Sequence, residues 1–315
     1  MISKVSVRSR WPITTGLSRS PGVIVGMTVF KPAVHRLGAA RMRPHVMPML
    51  EDVIRLGLVD DDEIVLDEAA LSLARLDQPN VDLDPYHDLL DAVATRLEAI
   101  GKDAATARER AEALSSVLGD AFGFEGDEAT YDDPANADLI RVIDRRRGLP
   151  VSLSILYVSA ARRVGWAANV LDVPGHVLVL VGEEVAPVIV DPFCGGIPVE
   201  PAQLGALLMA AQSGSAPAVR HVAAMPNRAV LVRLLLNQAT RAEQAGKGRR
   251  ALELYTRMTV MAPDYGPAWW ERARLEGIDG DVAAARASLT ALLEVSREPE
   301  LRNRVTETLA ALVAP

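Results

Sequence analysis

The chain predicts an α+β fold that is mostly helical, and three observations carry that expectation. Aromatic residues make up only 4% of the 315 residues, so the core must be built from Ala, Leu and Val, a composition that favours helices over strands. Apolar residues recur with a helical period through the N-terminal third and again near the C-terminus. Three short Val-rich runs between residues 168 and 190, separated by tight turns, supply one small antiparallel sheet. The expected organisation is a basic tail over 1–46, a helical region plus sheet-bearing core over 47–219, and helical hairpins over 220–315.

Charge marks the first boundary. Residues 1–50 hold eight Lys/Arg and no acid, whereas residues 51–135 hold 23 acids against six bases, a net of −17. The tail is read as unfolded or as an extension upstream of the true start. As a signal peptide it lacks a clean cleavage site, and as a basic interaction arm it has no further support. Its apolar run, Pro21 to Phe30, is too short to span a bilayer.

From Met47 to about Leu118 the pattern is helical. Ala69, Ala70, Leu73 and Leu76 form one face, ended by Pro79. A second helix begins with Asp84 as N-cap and Pro85 at the first helical position, and buries Leu89, Leu90, Val93 and Leu97. A third stops near Gly119 or Gly123. A Gly/Asp/Pro-rich linker, Gly126 to Pro134, leads to a helix over Asn136 to Arg146, broken by Gly148–Leu149–Pro150. Arg145–Arg146–Arg147 suit that helix C-terminus and its dipole better than an anion site. Val151 to Val164 is a strongly apolar central helix. Ala168–Val173, His176–Val181 and Pro187–Val190 are strands, with turns at Pro174–Gly175 and Gly182–Glu184, which gives an antiparallel meander.

A repeat occupies the last 90 residues. Ala239 and Ala273, Gly246 and Gly280, Ala251 and Ala285, Tyr255 and Leu289, and Met258 and Leu292 are each 34 apart. Small residues recur where helices approach closely, and large ones where they fill grooves. That period with a helix–turn–helix unit is the tetratricopeptide signature. In this register Arg250 is expected on the exposed face. Two repeats and a final helix are few for a free solenoid, so they are expected to pack on the central region.

Composition excludes several chemistries. One cysteine, Cys194, leaves no internal disulfide and no Cys-based zinc site, and fits a reducing cytoplasm. The acidic balance (net −7) argues against nucleic acid as a partner. There is no Walker A, dinucleotide fingerprint, calcium loop or metal-ligand cluster, so no cofactor and no metal are expected.

What chemistry the sequence offers sits between Asp144 and Gly196. His176 and Asp191 lie 15 residues apart on strands expected to be neighbours, the base and its orienting group of an acyl-transfer triad. The nucleophile's seat would be the N-terminus of the central helix, where the dipole lowers a thiol pKa. Here that segment reads Gly148–Leu149–Pro150–Val151–Ser152. No cysteine is there. Ser152 is the hydroxyl on offer, and Pro150 and Cys194 are placed on the rim of the cleft.

These segments carry a family resemblance. LDEAALSLARLDQPNVDLDPY (66–86), RRRGLPVSLSILY (145–157), PGHVLVLV (174–181) and IVDPFCGG (189–196) resemble the bacterial SirB-type family from about Met47 to Pro315. The resemblance implies a transglutaminase-like, papain-like core followed by tetratricopeptide repeats. It also implies that the helix motif G-x-P-x-S-L replaces the transglutaminase cysteine, matched here by Gly148, Pro150, Ser152 and Leu153. The family's His and Asp are matched by His176 and Asp191, while Cys194 stands where asparagine is common. Two functions follow as expectations. The first is a non-catalytic regulator binding a protein or peptide through the repeats and the central cleft. The second is an acyl-transferase or amide hydrolase with a non-standard nucleophile, Ser152 or Cys194.

Overall fold

The computed structural model describes residues 47–173, 175–182, 186–212 and 223–312. The tail expected over 1–46, Pro174 of the first strand turn and Glu183–Glu184 of the second lie outside the described residues.

Helices α1 (Met47–Leu58), α2 (Leu66–Arg75), α3 (Asp84–Gly101) and α4 (Ala107–Leu114) come first. Leu90, Val93 and Leu97 form the buried stripe of α3. Its cap lies one residue earlier than expected: Leu83 is the N-cap and Asp84 the first helical residue, because Asp82 takes the amide of Asp84 at 3.1 Å. Thr106 and Glu109 cap α4 reciprocally. That helix then widens into a π-helical segment, Ser115–Ala121, before Gly123 (φ +73°) ends it.

The segment expected as a linker holds more order than its composition suggests. β1 (Glu125–Gly126) pairs in parallel with β2 (Arg147–Gly148), and a 3₁₀ turn over Pro134–Ala137 leads into α5 (Leu139–Arg145), capped by Asp138. Arg146 closes α5 in the left-handed region at φ 58°.

Helix α6 (Pro150–Arg163) is the centre of the molecule. Every residue from Pro150 to Ala161 is buried, so it is enclosed on all sides, the environment its near-continuous apolar sequence requires. A four-stranded antiparallel sheet, β3 (Ala168–Val173), β4 (His176–Val181), β5 (Val188–Asp191) and β6 (Ile197–Pro198), lies against it in that order. Alternation along the strands divides their side chains. Val177, Val179, Val181 and Val190 join the core around α6. Leu171, Val173 and Leu178 face the other way, onto Leu204, Leu207 and Leu208 of α7 (Pro201–Gln212).

Antiparallel helices complete the chain: α8 (Asn227–Gln244), α9 (Gly248–Met261), α10 (Gly266–Ile278), α11 (Val282–Val295) and α12 (Pro299–Ala311). Ala239, Ala251, Ala273 and Ala285 are all buried, and Gly246 and Gly280 take positive φ at the two helix turns. One core runs from Val53 to Leu275, and a separate cluster around Ala273, Leu289, Leu292 and Val305 holds α10 to α12 together. Asp61 caps α8 from far along the chain, accepting the amides of Asn227 and Arg228 at 2.8 Å each. Arg228 in turn donates to the carbonyls of Leu56 and Val59 at the end of α1, where a cation suits the helix dipole. Arg250 departs from its expected exposure: with Arg257 it binds Asp77. Among the described residues no helix is long and apolar enough to cross a membrane.

Candidate functional site

The hairpin register explains the geometry of the His–Asp pair. His176 opens β4 opposite Val173. Asp191 ends β5, two positions along the ladder, on the same face by alternation. Their side chains meet, with His176 Nε2 2.8 Å from Asp191 Oδ2. His176 is only 7% exposed, so the imidazole is held in one place by a carboxylate that is itself fixed. Asp191 Oδ1 accepts the Phe193 amide at 2.9 Å, an Asx-type bond that starts the Pro192–Cys194 turn.

That turn is clamped from three sides. The Phe193 ring covers Gly126 and meets Tyr131 edge-on at 5.8 Å between centroids. Ser115 donates its hydroxyl to the Gly195 carbonyl at 2.6 Å, and the π-helical geometry brings Gly119 against the same carbonyl: a Cβ there would lie 2.9 Å from it. Gly196, at φ +80°, packs on Tyr157, where a Cβ would sit 2.6 Å from the phenol oxygen. Only glycine satisfies both the backbone angle and that approach.

The hydroxyl on offer is engaged elsewhere, and the thiol is held by Asp191. Ser152 is fully buried and donates to the backbone carbonyl of Asn136 at 2.6 Å, the oxygen that also accepts the Leu149 amide at 2.9 Å. Pro150 is the first residue of α6 and is buried. Cys194 is exposed. Partial burial and then the Asp191 carboxylate, which also takes its thiol hydrogen bond, push the pKa up to about 12. His176 shares its face of the sheet with Val173 and Leu178, the face that carries α7, and the Asp191 charge also reaches Tyr157 of α6.

A polar network beneath the N-terminus of α6 has no counterpart in the sequence reading. Arg145 reaches Asp127 at 2.7 Å and the Asn136 side chain at 3.0 Å. Asp127 also accepts the Thr130 amide and hydroxyl at 2.8 and 2.6 Å. Burial alone would raise the Asp127 carboxyl, but the Thr130 and Arg145 bonds hold it below the usual range. The three consecutive arginines thus diverge. Arg145 enters this network, Arg147 pairs with Glu125, and Arg146 stacks on the Phe124 ring, 4.6 Å from its centroid. The triple arginine was the signal available, and only its buried acid partner was illegible. Among the described residues no cluster of three His, Cys, Asp or Glu could hold a metal ion.

The chain is 28% identical over 244 residues to a UPF0162 protein of Xylella fastidiosa (strain 9a5c), covering 76% of this chain and 87% of that protein. It is 30% identical over 141 residues to a UPF0162 protein of Vibrio cholerae, covering 44% and 52% respectively. A 67-residue stretch is 34% identical to F-box only protein 21 of Mus musculus, covering 21% of this chain and 11% of that one. Residues 84–236, which run from the start of α3 into α8 and include His176 and Asp191, match the family model described as the transglutaminase-like superfamily.

Proposed function

We propose that the protein is a non-catalytic, cytoplasmic regulatory module of the SirB type, which binds a protein or peptide. The binding surfaces are a transglutaminase-like cleft at the His176–Asp191 pair and tetratricopeptide-like hairpins built from α8 to α11. One observation carries the reading: the Ser152 hydroxyl, in the segment where such a core keeps its nucleophile, is committed at 2.6 Å to the Asn136 carbonyl. A serine that gives its proton to a backbone oxygen is not activated by a base, since activation requires that proton to point at the imidazole. Cys194 is no substitute, because a raised thiol pKa leaves little thiolate at neutral pH. The repeat reading rests on the buried alanines and the turn glycines at 34-residue spacing.

A second reading has one observation in its favour. The 2.8 Å His176–Asp191 bond is the arrangement an acyl-transferase or amide hydrolase needs to orient its base. Intact-mass analysis after exposure to a fluorophosphonate and to iodoacetamide separates the two, in wild type and in His176→Ala. The module reading expects no adduct on Ser152 or Cys194 that depends on His176. It also expects partners captured from native cytosol by the wild type to be lost with His176→Ala. A covalent adduct abolished by that substitution would establish the hydrolytic reading instead.

A further inference from the structure

A concave feature borders the acidic region that follows the basic tail. Between α3 and the end of α5 lies a cleft of about 350 Å³. Its floor is apolar, from Pro85, Leu89 and Ile143, and its polar lining includes Asp82, Tyr86 and Asp144. The Tyr86 hydroxyl donates across the cleft to Asp144 at 3.1 Å, which fixes one carboxylate at the rim without neutralising it. Arg146, the cation of the lining, lies over the Phe124 ring, though the Asp144 carboxylate still acts on its charge. Asp84 and Asp88 continue the acidic rim along the exposed side of α3. Among the described residues none of these four aspartates is in an ion pair, whereas Asp91 on the same helix is paired with Arg163 at 2.8 Å.

We propose that this cleft docks a basic peptide segment of a partner protein, with a Lys or Arg side chain as its anchor. The aliphatic stem of such a side chain would lie over Pro85, Leu89 and Ile143 while its charged head reaches Asp82 and Asp144, the division of labour long cationic side chains favour. Charge complementarity is the argument for this occupant. Residues 51–135 carry a net of −17, a field that attracts cations and repels acidic segments before contact. The cleft shares no residue with the His176–Asp191 cluster, so this site stands or falls independently of that one.

The test uses the full chain and two fluorescein-labelled peptides, Leu-Arg-Leu-Lys-Leu and Leu-Glu-Leu-Glu-Leu, followed by fluorescence anisotropy. The basic peptide is expected to bind saturably and more weakly as salt rises; the acidic one is expected not to bind. Asp82→Asn with Asp144→Asn keeps both hydrogen-bond acceptors, so the fold is preserved, and should weaken binding about tenfold or more. Glu300→Gln with Glu307→Gln, an equal charge change on the exposed face of α12, should leave it within twofold. Equal weakening by both pairs would reduce the effect to bulk charge and overturn the site. Unchanged affinity in the Asp82/Asp144 variant would overturn it directly. Tighter peptide binding after Lys31, Arg36, Arg41 and Arg43 are changed to Gln would overturn the partner assignment, making the chain's own basic segment the occupant.

Discussion

Ser152 and Asn136 are joined by a 2.6 Å hydrogen bond from a fully buried hydroxyl to a backbone carbonyl. It ties the first turn of α6 to the loop before α5. The carbonyl keeps its bond from the Leu149 amide when the serine is removed, so no acceptor is orphaned. Ser152→Ala is therefore expected to cost about 1 kcal/mol, the net worth of one neutral hydrogen bond. Denaturant titration checks this. A loss of several kcal/mol, or a gain, would show that the hydroxyl has another role.

Asp77 gives the stability curve an acid limb. Burial alone would raise its carboxyl, but hydrogen bonds and charge from Arg257 and Arg250 override this and hold it below its ordinary value. A carboxylate whose folded pKa is depressed stabilises the fold above the unfolded value, near 4, and loses that contribution as pH falls through the lower folded value. Asp77→Asn should cost about 2 kcal/mol at pH 7, in the range for hydrogen bonds to charged groups. The gap to wild type should narrow as pH falls below the ordinary carboxylate value and through the lower folded one. Urea titrations at several pH values measure it, and a gap independent of pH would sink the assignment.

Cys194 is exposed yet expected to be slow. With its pKa pushed up to about 12, its thiolate fraction near neutral pH lies far below that of a free thiol at about 8.5. Iodoacetamide labelling at pH 7.5 should lag behind a cysteine peptide. Labelling faster than the peptide would place a cation beside the sulfur and reopen the catalytic reading.

Gly196 cannot accept a side chain. Alanine there must hold φ near +80° and meet the Tyr157 phenol. Together these should cost more than about 2 kcal/mol. Gly165→Ala is the comparison, since Gly165 also has positive φ but nothing near its Cβ. Equal losses at both would mean the phenol contact carries no energy.

The close helix contacts of the C-terminal hairpins give the last prediction. Ala251 is fully buried, so Ala251→Leu should cost about 1–3 kcal/mol by overpacking. Arg249→Leu, at an exposed position, should cost almost nothing. Because α8 and α9 share the core of α2 to α6, the loss should appear in a single cooperative transition. Two resolved transitions in the wild type would contradict the shared core.

How much of this was legible depends on the range of the interaction. The central helix and the three long strands were read within a residue or two, because their periodicity is local. The His176–Asp191 spacing was legible because a hairpin converts sequence distance into a ladder position. The β1–β2 pair joins residues 22 apart through two-residue strands, too short to leave a periodic trace. The π-helical turn depends on Gly195, which the local sequence cannot announce. Arg250 looked exposed because its position in a hairpin says nothing about Asp77, 173 residues away. The face taken by His176 was readable, since it pairs with Val173 and sits two residues before Leu178, on the same side of the strand.

The packing of α1 on α9 has a consequence for synthesis. Gly57 lies so close to Val260 that a Cβ would meet its carbonyl oxygen at 2.5 Å. The first described helix therefore completes its contacts only when a segment about 200 residues later is available. At ribosomal rates of about 5–20 residues per second, this takes about 10–40 s. Through that interval Val53 and Leu56, which pack in the core of the finished molecule, have no α9 to cover them. Until then the side of this helix that faces α9 has no partner, an apolar surface of the kind holding chaperones cover.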